Sequence, residues 1–416
     1  MLRWSLLAPT FAVGVVAACG LDTVGEAPDA TVPAPDGQAV LPDRNDGGDE
    51  RQEASVDDAK APETCPWPAL ERDAPWPMIG GCVGHPGRTV HHGPKQQPKI
   101  VWKVTVTTRE SQPVIGADGT IYLPADVSGV VAFDPDGGRR PFPDAGTGVA
   151  NNVTNAPSIG ADGTLYFGSE RSIVAHGKDG THWRARTNDE IDTSTLVGED
   201  GTVYSGSFDD MLYAVAPDGG IRWKVDLGGD VWAAAAMGPS GHVYVGSDDR
   251  LFALEQDGGQ SWVFRTTGNV QSSPVVADDG TIYVGTLGKS LHAVSSDGGA
   301  KWTFATRGNF GWQQLPALDE KGTIYAPTDR YLAAIDTADG GLRWERNVGV
   351  MLRTSVVVDA DGVVYVGGDG RMFAYAPDGD QLWAIDVGAN PSGFAIARDG
   401  TIFVACNGNT LLAIHE

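Results

Sequence analysis

A unit of about forty residues recurs eight times along this chain, and that repetition restricts the fold more than any other feature. One copy runs Val275-Val276-Ala277-Asp278-Asp279-Gly280-Thr281-Ile282-Tyr283-Val284-Gly285, then Leu291-His292-Ala293, then Asp297-Gly298, then Trp302. Its turn glycine returns at Gly119, Gly163, Gly201, Gly241, Gly280, Gly322, Gly362 and Gly400, at intervals of 44, 38, 40, 39, 42, 40 and 38 residues. An apolar run with Tyr follows each glycine (Phe403 in the last copy), and an alanine marks the next strand. An aromatic closes the unit at Phe142, Trp183, Trp223, Trp262, Trp302, Trp344 and Trp383. Short apolar runs separated by glycine turns read as strands, four to a unit.

Asp-Gly stands at the first turn in six copies (Asp118, Asp162, Asp200, Asp279, Asp361, Asp399) and at the second in seven (Asp136, Asp179, Asp218, Asp257, Asp297, Asp339, Asp378). Between alternating apolar runs this dipeptide predicts a two-residue hairpin with φ > 0 at both central positions. Thirteen of the 54 acidic residues thereby have a backbone role, which weakens acidity as a binding signal. The net charge of −24 excludes nucleic acid as a partner, because phosphate contacts need clustered Lys and Arg.

The chain ends fix the number of units. The eighth stops at Glu416 after its third strand, and upstream of the first lies Pro98-Lys99-Ile100-Val101-Trp102-Lys103-Val104. Trp102 precedes Phe142 by 40 residues, in step with the other aromatics. The expected fold is all-β: an eight-bladed β-propeller over 98–416, closed by an N-terminal strand that completes the last blade.

The succession of alanine, Asp-Gly and tryptophan, as in Ala334, Asp339-Gly340 and Trp344, resembles the tryptophan-docking motif of PQQ-type propellers. The opening Trp76-Pro77-Met78, with Gly80 and His85-Pro86-Gly87-Arg88-Thr89, is similar to that family's lead-in. The resemblance covers 76–416 and implies that Trp102, Phe142 and the six later tryptophans pack between neighbouring blades. Truncating a buried one, Trp262→Ala, is expected to cost about 3–5 kcal/mol.

Ahead of the repeats, residues 1–19 read as an export signal: Arg3, an apolar stretch from Leu6 to Ala18, then Val16-Ala17-Ala18-Cys19. That ending resembles a bacterial lipobox, which implies lipidation of Cys19 and attachment to the outer membrane. Residues 20–63 hold twelve acidic residues against three basic ones and no aromatic, the composition of an extended acidic linker. In the lead-in, 64–97, Cys65 and Cys82 are expected to form a disulfide contributing about 3 kcal/mol. Cys406 lies in an apolar strand and reads as a buried thiol.

No nucleophile, phosphate-loop or zinc-protease motif is present in the sequence. Within the PQQ-type family the quinoprotein dehydrogenases carry adjacent cysteines and calcium ligands. Here no two cysteines are adjacent, so neither PQQ nor calcium is expected as a cofactor. Asp359 and Asp361 suggest a calcium loop but read as hairpin residues, and His85, His91 and His92 lack an evident fourth metal ligand. Function is therefore sought at the channel mouth, where the innermost strands begin. Aligned on the turn glycine, that row reads Glu110, Thr154, Asp192, Trp232, Gln271, Gln313, Arg353 and Pro391, a mixture that core packing does not select. Loops on the same face add Arg171, Arg250, Lys289, Arg330 and Arg371. With Trp232 and Trp312, this makes a mixed rim suited to docking a protein loop. The bland reading is a solvated mouth whose cations balance Asp249, Asp329 and Asp369.

The expected function is a non-catalytic, lipid-anchored, monomeric scaffold of the bacterial cell envelope. It resembles the propeller lipoproteins of the outer-membrane β-barrel assembly machinery, and an envelope protein is the expected partner. The alternative is a binder of small molecules or glycans, or an oxidoreductase, working at the same mouth.

Overall fold

The computed structural model describes residues 70–106, 112–125, 129–141, 153, 155–180, 182–311 and 314–416. Cys19, Cys65, Glu110, Phe142, Trp312 and Gln313 lie outside them. The strands form eight antiparallel four-stranded sheets arranged as an eight-bladed propeller. Blades 1 to 7 occupy 114–140, 158–186, 196–226, 236–265, 275–305, 317–347 and 357–386. Blade 8 joins Pro391–Ile396, Ile402–Cys406 and Thr410–His415 to Lys99–Thr105 from the other end of the chain. Lys99 faces His415 and Thr105 faces Thr410, so first and last strands share one ladder and neither is left as an open edge.

The repeating residues meet at one place in each blade. In blade 4, Tyr244, Ala253 and Trp262 lie opposite one another on three successive strands. The small alanine leaves room above it for the flanking rings, whose centroids are 5.7 Å apart. The indole then reaches the next blade, donating from Nε1 to the Ser296 carbonyl at 2.9 Å. It also covers Gly298, where a Cβ would sit 2.8 Å from the ring. Trp102, Trp183, Trp223, Trp302 and Trp344 repeat the bond, to Pro135, Pro217, Gln256, Thr337 and Pro377. These indoles are only half-buried, Trp262 among them, so the cost of truncating a fully buried ring overstates their contribution. Trp383 differs. It is 2% exposed, and because blade 8 has no hairpin ahead of its last strand, its Nε1 donates instead to Pro94, at 2.7 Å. The Tyr365 hydroxyl donates to the same carbonyl.

The Asp-Gly turns correct the sequence expectation. They are not two-residue hairpins with two positive φ angles. In the first, Gly119 N–H donates to Gly116 O and Gly116 N–H to Thr120 O, which encloses three residues, and Gly119 is the one with positive φ (80°). This is a type I turn followed by a glycine bulge. The aspartate's part is a side-chain one: Asp118 Oδ1 accepts the Thr120 amide at 3.0 Å. Asp136, Asp162, Asp200, Asp279 and Asp399 do the same for the amide two residues on. An Asp-Gly pair with both φ angles positive does occur at Asp369-Gly370, on the opposite face.

The lead-in crosses the hub of the ring where the innermost strands finish. These strands are two residues long in blades 1 to 7. Their final amides would be buried without a partner unless something met them. Ile115, Ile159, Met237, Val276, Leu318 and Val358 donate those N–H groups to Trp76, Pro77, Val83, Gly84, Pro86 and Gly87, at 2.7–2.9 Å. Glycine is needed at Gly87, whose φ is 65° and whose Cβ would lie 2.7 Å from that of Ala317. Trp76 and Met78 are fully buried. The lead-in is thus a strap that ties six blades at the hub.

His85 is buried in this strap, with Nδ1 3.2 Å from the Pro274 carbonyl and Nε2 without a partner among the described residues. Burial lowers its pKa from 6.5 to about 4, only partly offset by that hydrogen bond. Because the folded pKa is the depressed one, its contribution to stability is whole above pH 6.5 and is lost as pH falls toward 4. Between pH 7 and pH 4 the wild-type protein should lose about 3 kcal/mol more than His85→Gln in urea unfolding. Equal losses would show that His85 does not titrate on unfolding.

Candidate interaction rim

The face opposite the strap carries the loops that lead into the innermost strands and the hairpins between second and third strands. The small polar residues just inside the mouth have structural work. Thr193, Ser272 and Thr354 each accept the amide of a glycine on the neighbouring strand (Gly206, Gly285, Gly367), continuing a ladder that the short innermost strand cannot. The Gln314 Nε2 donates to Leu352 O in the next blade.

Outside this ring the side chains divide by charge. Over blades 2 to 4, Asp189, Asp192, Asp210, Asp230 and Asp248 face the mouth. The Asp230 carboxyl is pushed above its ordinary range by partial burial and by Asp210, Asp248 and Asp189, so these carboxylates crowd one another. Trp232 stands half-buried among them with its ring centroid 4.5 Å from that of Phe208. Asp192 accepts from Asn155 Nδ2 at 2.9 Å. Two of the expected cations are neutralised here: Arg171 pairs with Asp189 at 3.2 Å, and Arg250 lies 3.9 Å from both Asp248 and Asp249.

Blades 5 to 7 are the reverse. Lys289, Arg330 and Arg371 are exposed and have no carboxylate within ion-pair distance among the described residues. The aspartates beside two of them are engaged elsewhere. Asp329 accepts the Asn309 amide at 3.2 Å, and Asp369 accepts the Met351 amide at 2.8 Å while lying 3.7 Å from Arg353. Arg330 reaches the Gly349 carbonyl, and Arg371 covers the Phe373 ring at 5.2 Å. Gln271 is half-buried and Pro391 buried. Phe208 and Arg307 were not expected from the sequence. Phe208 occupies a hairpin position where blades 2, 4, 6 and 7 carry Glu or Asp, and that break in the row is its only signal. Arg307 is held by Glu345 at 2.5 Å and covers the Tyr331 ring.

The other sequence candidates for chemistry are not assembled. Asp359 uses Oδ1 for the amides of Asp361 and Val363, and Oδ2 for Gly93 N–H and the Tyr365 hydroxyl. His92 pairs with Asp361 at 2.5 Å, far along the strap from His85. Burial pushes the Cys406 thiol up to about 12, which removes it as a nucleophile. Cys82 is packed against the core, and its pairing with Cys65 falls outside the described residues.

A closed ring of eight blades, with indoles bridging between blades and a strapped hub, defines a PQQ-type repeat propeller. Residues 169–272, 210–355 and 329–416 match the family described as outer membrane protein assembly factor BamB. These matches together span more than half of the sequence, and the chain belongs to that family. Solved structures of the same fold include BamB from Moraxella catarrhalis, 15% identical, with a TM-score of 0.61 over 77% of this chain and 98% of that one. They also include quinohemoprotein alcohol dehydrogenases. ADHIIG from Pseudomonas putida HK5 is 14% identical, with a TM-score of 0.69 over 82% of this chain and 80% of its own. That from Comamonas testosteroni is also 14% identical, with a TM-score of 0.64 over the same shares. At such identities the likeness is one of fold. No curated protein matches the chain.

Proposed function

We propose that this protein is a non-catalytic scaffold of the bacterial cell envelope, tethered through lipidated Cys19, that holds a protein partner at its rim during outer-membrane protein assembly. Membership of a family described as an assembly factor carries this reading. The divided rim supports it, since aromatic and charged side chains held on short hairpins are what a protein interface uses. The proposal invokes no quinone or calcium. The sequence has no adjacent cysteines, and among the described residues no three His, Cys, Asp or Glu side chains are gathered to hold a cation.

The test is crosslinking on intact membranes with a photoreactive residue at position 232. A defined envelope protein should be captured, and the combined change of Asp192, Trp232 and Arg353 to alanine, assayed with a photoreactive residue at Gln271, should abolish capture while the melting temperature is retained. Capture undiminished by that change would overturn the rim. A ligand-dependent rise in melting temperature with no protein captured would favour a small-molecule or glycan binder instead.

A further inference from the structure

Three consecutive blades place a cation in or next to the hairpin between second and third strands, Lys289, Arg330 and Arg371, in a chain whose acidic residues outnumber its basic ones by 54 to 30. Ordinary surface pairing would have neutralised them, as it does Arg171 on the other side of the mouth. Here the neighbouring aspartates are spent on backbone amides. Lys289 also holds a left-handed φ of 54°, where the hairpins of blades 2, 3, 4, 6 and 7 put Glu or Asp, residues of the opposite charge. A long side chain with no local hydrogen bond to offer is disfavoured in that conformation. Leu287, 41% exposed, adds an apolar contact beside it.

We infer that this arc docks an acidic segment of a protein partner; the inference rests on the rim being the interaction surface. The opposite half of the mouth decides between a protein and a lipid surface. A flat anionic membrane would lie over both halves, and the crowded carboxylates of Asp189, Asp210, Asp230 and Asp248 would repel it. A protein segment can carry carboxylates where it meets blades 5 to 7 and none where it meets blades 2 to 4. A protein of net charge −24 repels acidic peptides at long range, so binding of one requires a local patch of this kind.

The experiment measures fluorescence anisotropy of a labelled twelve-residue Glu-Gly-Leu repeat peptide against the purified full-length protein. Its variants are Lys289→Glu/Arg330→Glu/Arg371→Glu and a control of equal net charge, Lys99→Glu/Arg139→Glu/Lys321→Glu, at exposed sites away from the rim. Binding should weaken at least tenfold in the arc variant, hold within twofold in the control, and fall with added salt. Equal weakening in both variants would overturn the proposal, as would binding of phosphatidylglycerol vesicles without binding of the peptide. Crosslinking separates this inference from the broader one. If the arc variant still captures its envelope partner while the change at Asp192, Trp232 and Arg353 abolishes capture, the arc fails and the rim stands.

Discussion

Trp383→Ala should cost about 3–5 kcal/mol, more than the same change at any other inter-blade tryptophan. The other indoles keep one side in solvent and lean on a hairpin of the following blade, so their truncation forfeits part of a ring contact and one hydrogen bond worth about 1 kcal/mol. Trp383 is enclosed, packed against Tyr365 with ring centroids 5.9 Å apart and planes tilted by 45°, and bonded to a carbonyl of the strap rather than of a blade. Removing it leaves a cavity and takes one of two donors from the Pro94 carbonyl, whose other donor, the Tyr365 hydroxyl, is shared with the Asp359 carboxylate. Urea unfolding of Trp383→Ala beside Trp262→Ala measures the difference. An equal loss in the two would mean that the strap contact adds nothing.

Deleting residues 98–106 should be more damaging still. That segment supplies the outer strand of blade 8, paired over six positions with the C-terminal strand, and Trp102 with its bond to Pro135 in blade 1. Without it the strand Thr410–His415 becomes an exposed apolar edge, and open edges recruit other chains. The shortened protein is expected to elute as oligomers in size-exclusion chromatography and to melt at least 10 °C lower. A deletion variant as monomeric and as stable as the parent would refute closure by this strand.

The ring was legible in the sequence because each blade repeats the same local solution. Gly, Tyr, Ala and Trp recur at fixed spacing since three strands in register must bring two rings together over a methyl group. Closure was legible for the same reason: a fourth-strand sequence stood at one end and was missing at the other. The turn geometry was misread because the Asp-Gly dipeptide serves two kinds of hairpin, and only the hydrogen bond to the residue beyond the glycine tells them apart. The strap was legible only as a lead-in resembling the family's, not as a tie between blades. It has no period, and its partners lie far along the chain: the Val358 amide, 271 residues from Gly87, and the Tyr365 hydroxyl, 271 residues from Pro94. The rim was legible as a row of positions but not as a charge pattern. Whether Arg171 or Arg371 is neutralised depends on which loop of the neighbouring blade turns an aspartate toward it.

The strap has a consequence for traffic. Its backbone occupies the end of the axis where the innermost strands finish, with Trp76 and Met78 fully buried. That leaves the opposite opening as the side by which a partner would arrive and depart.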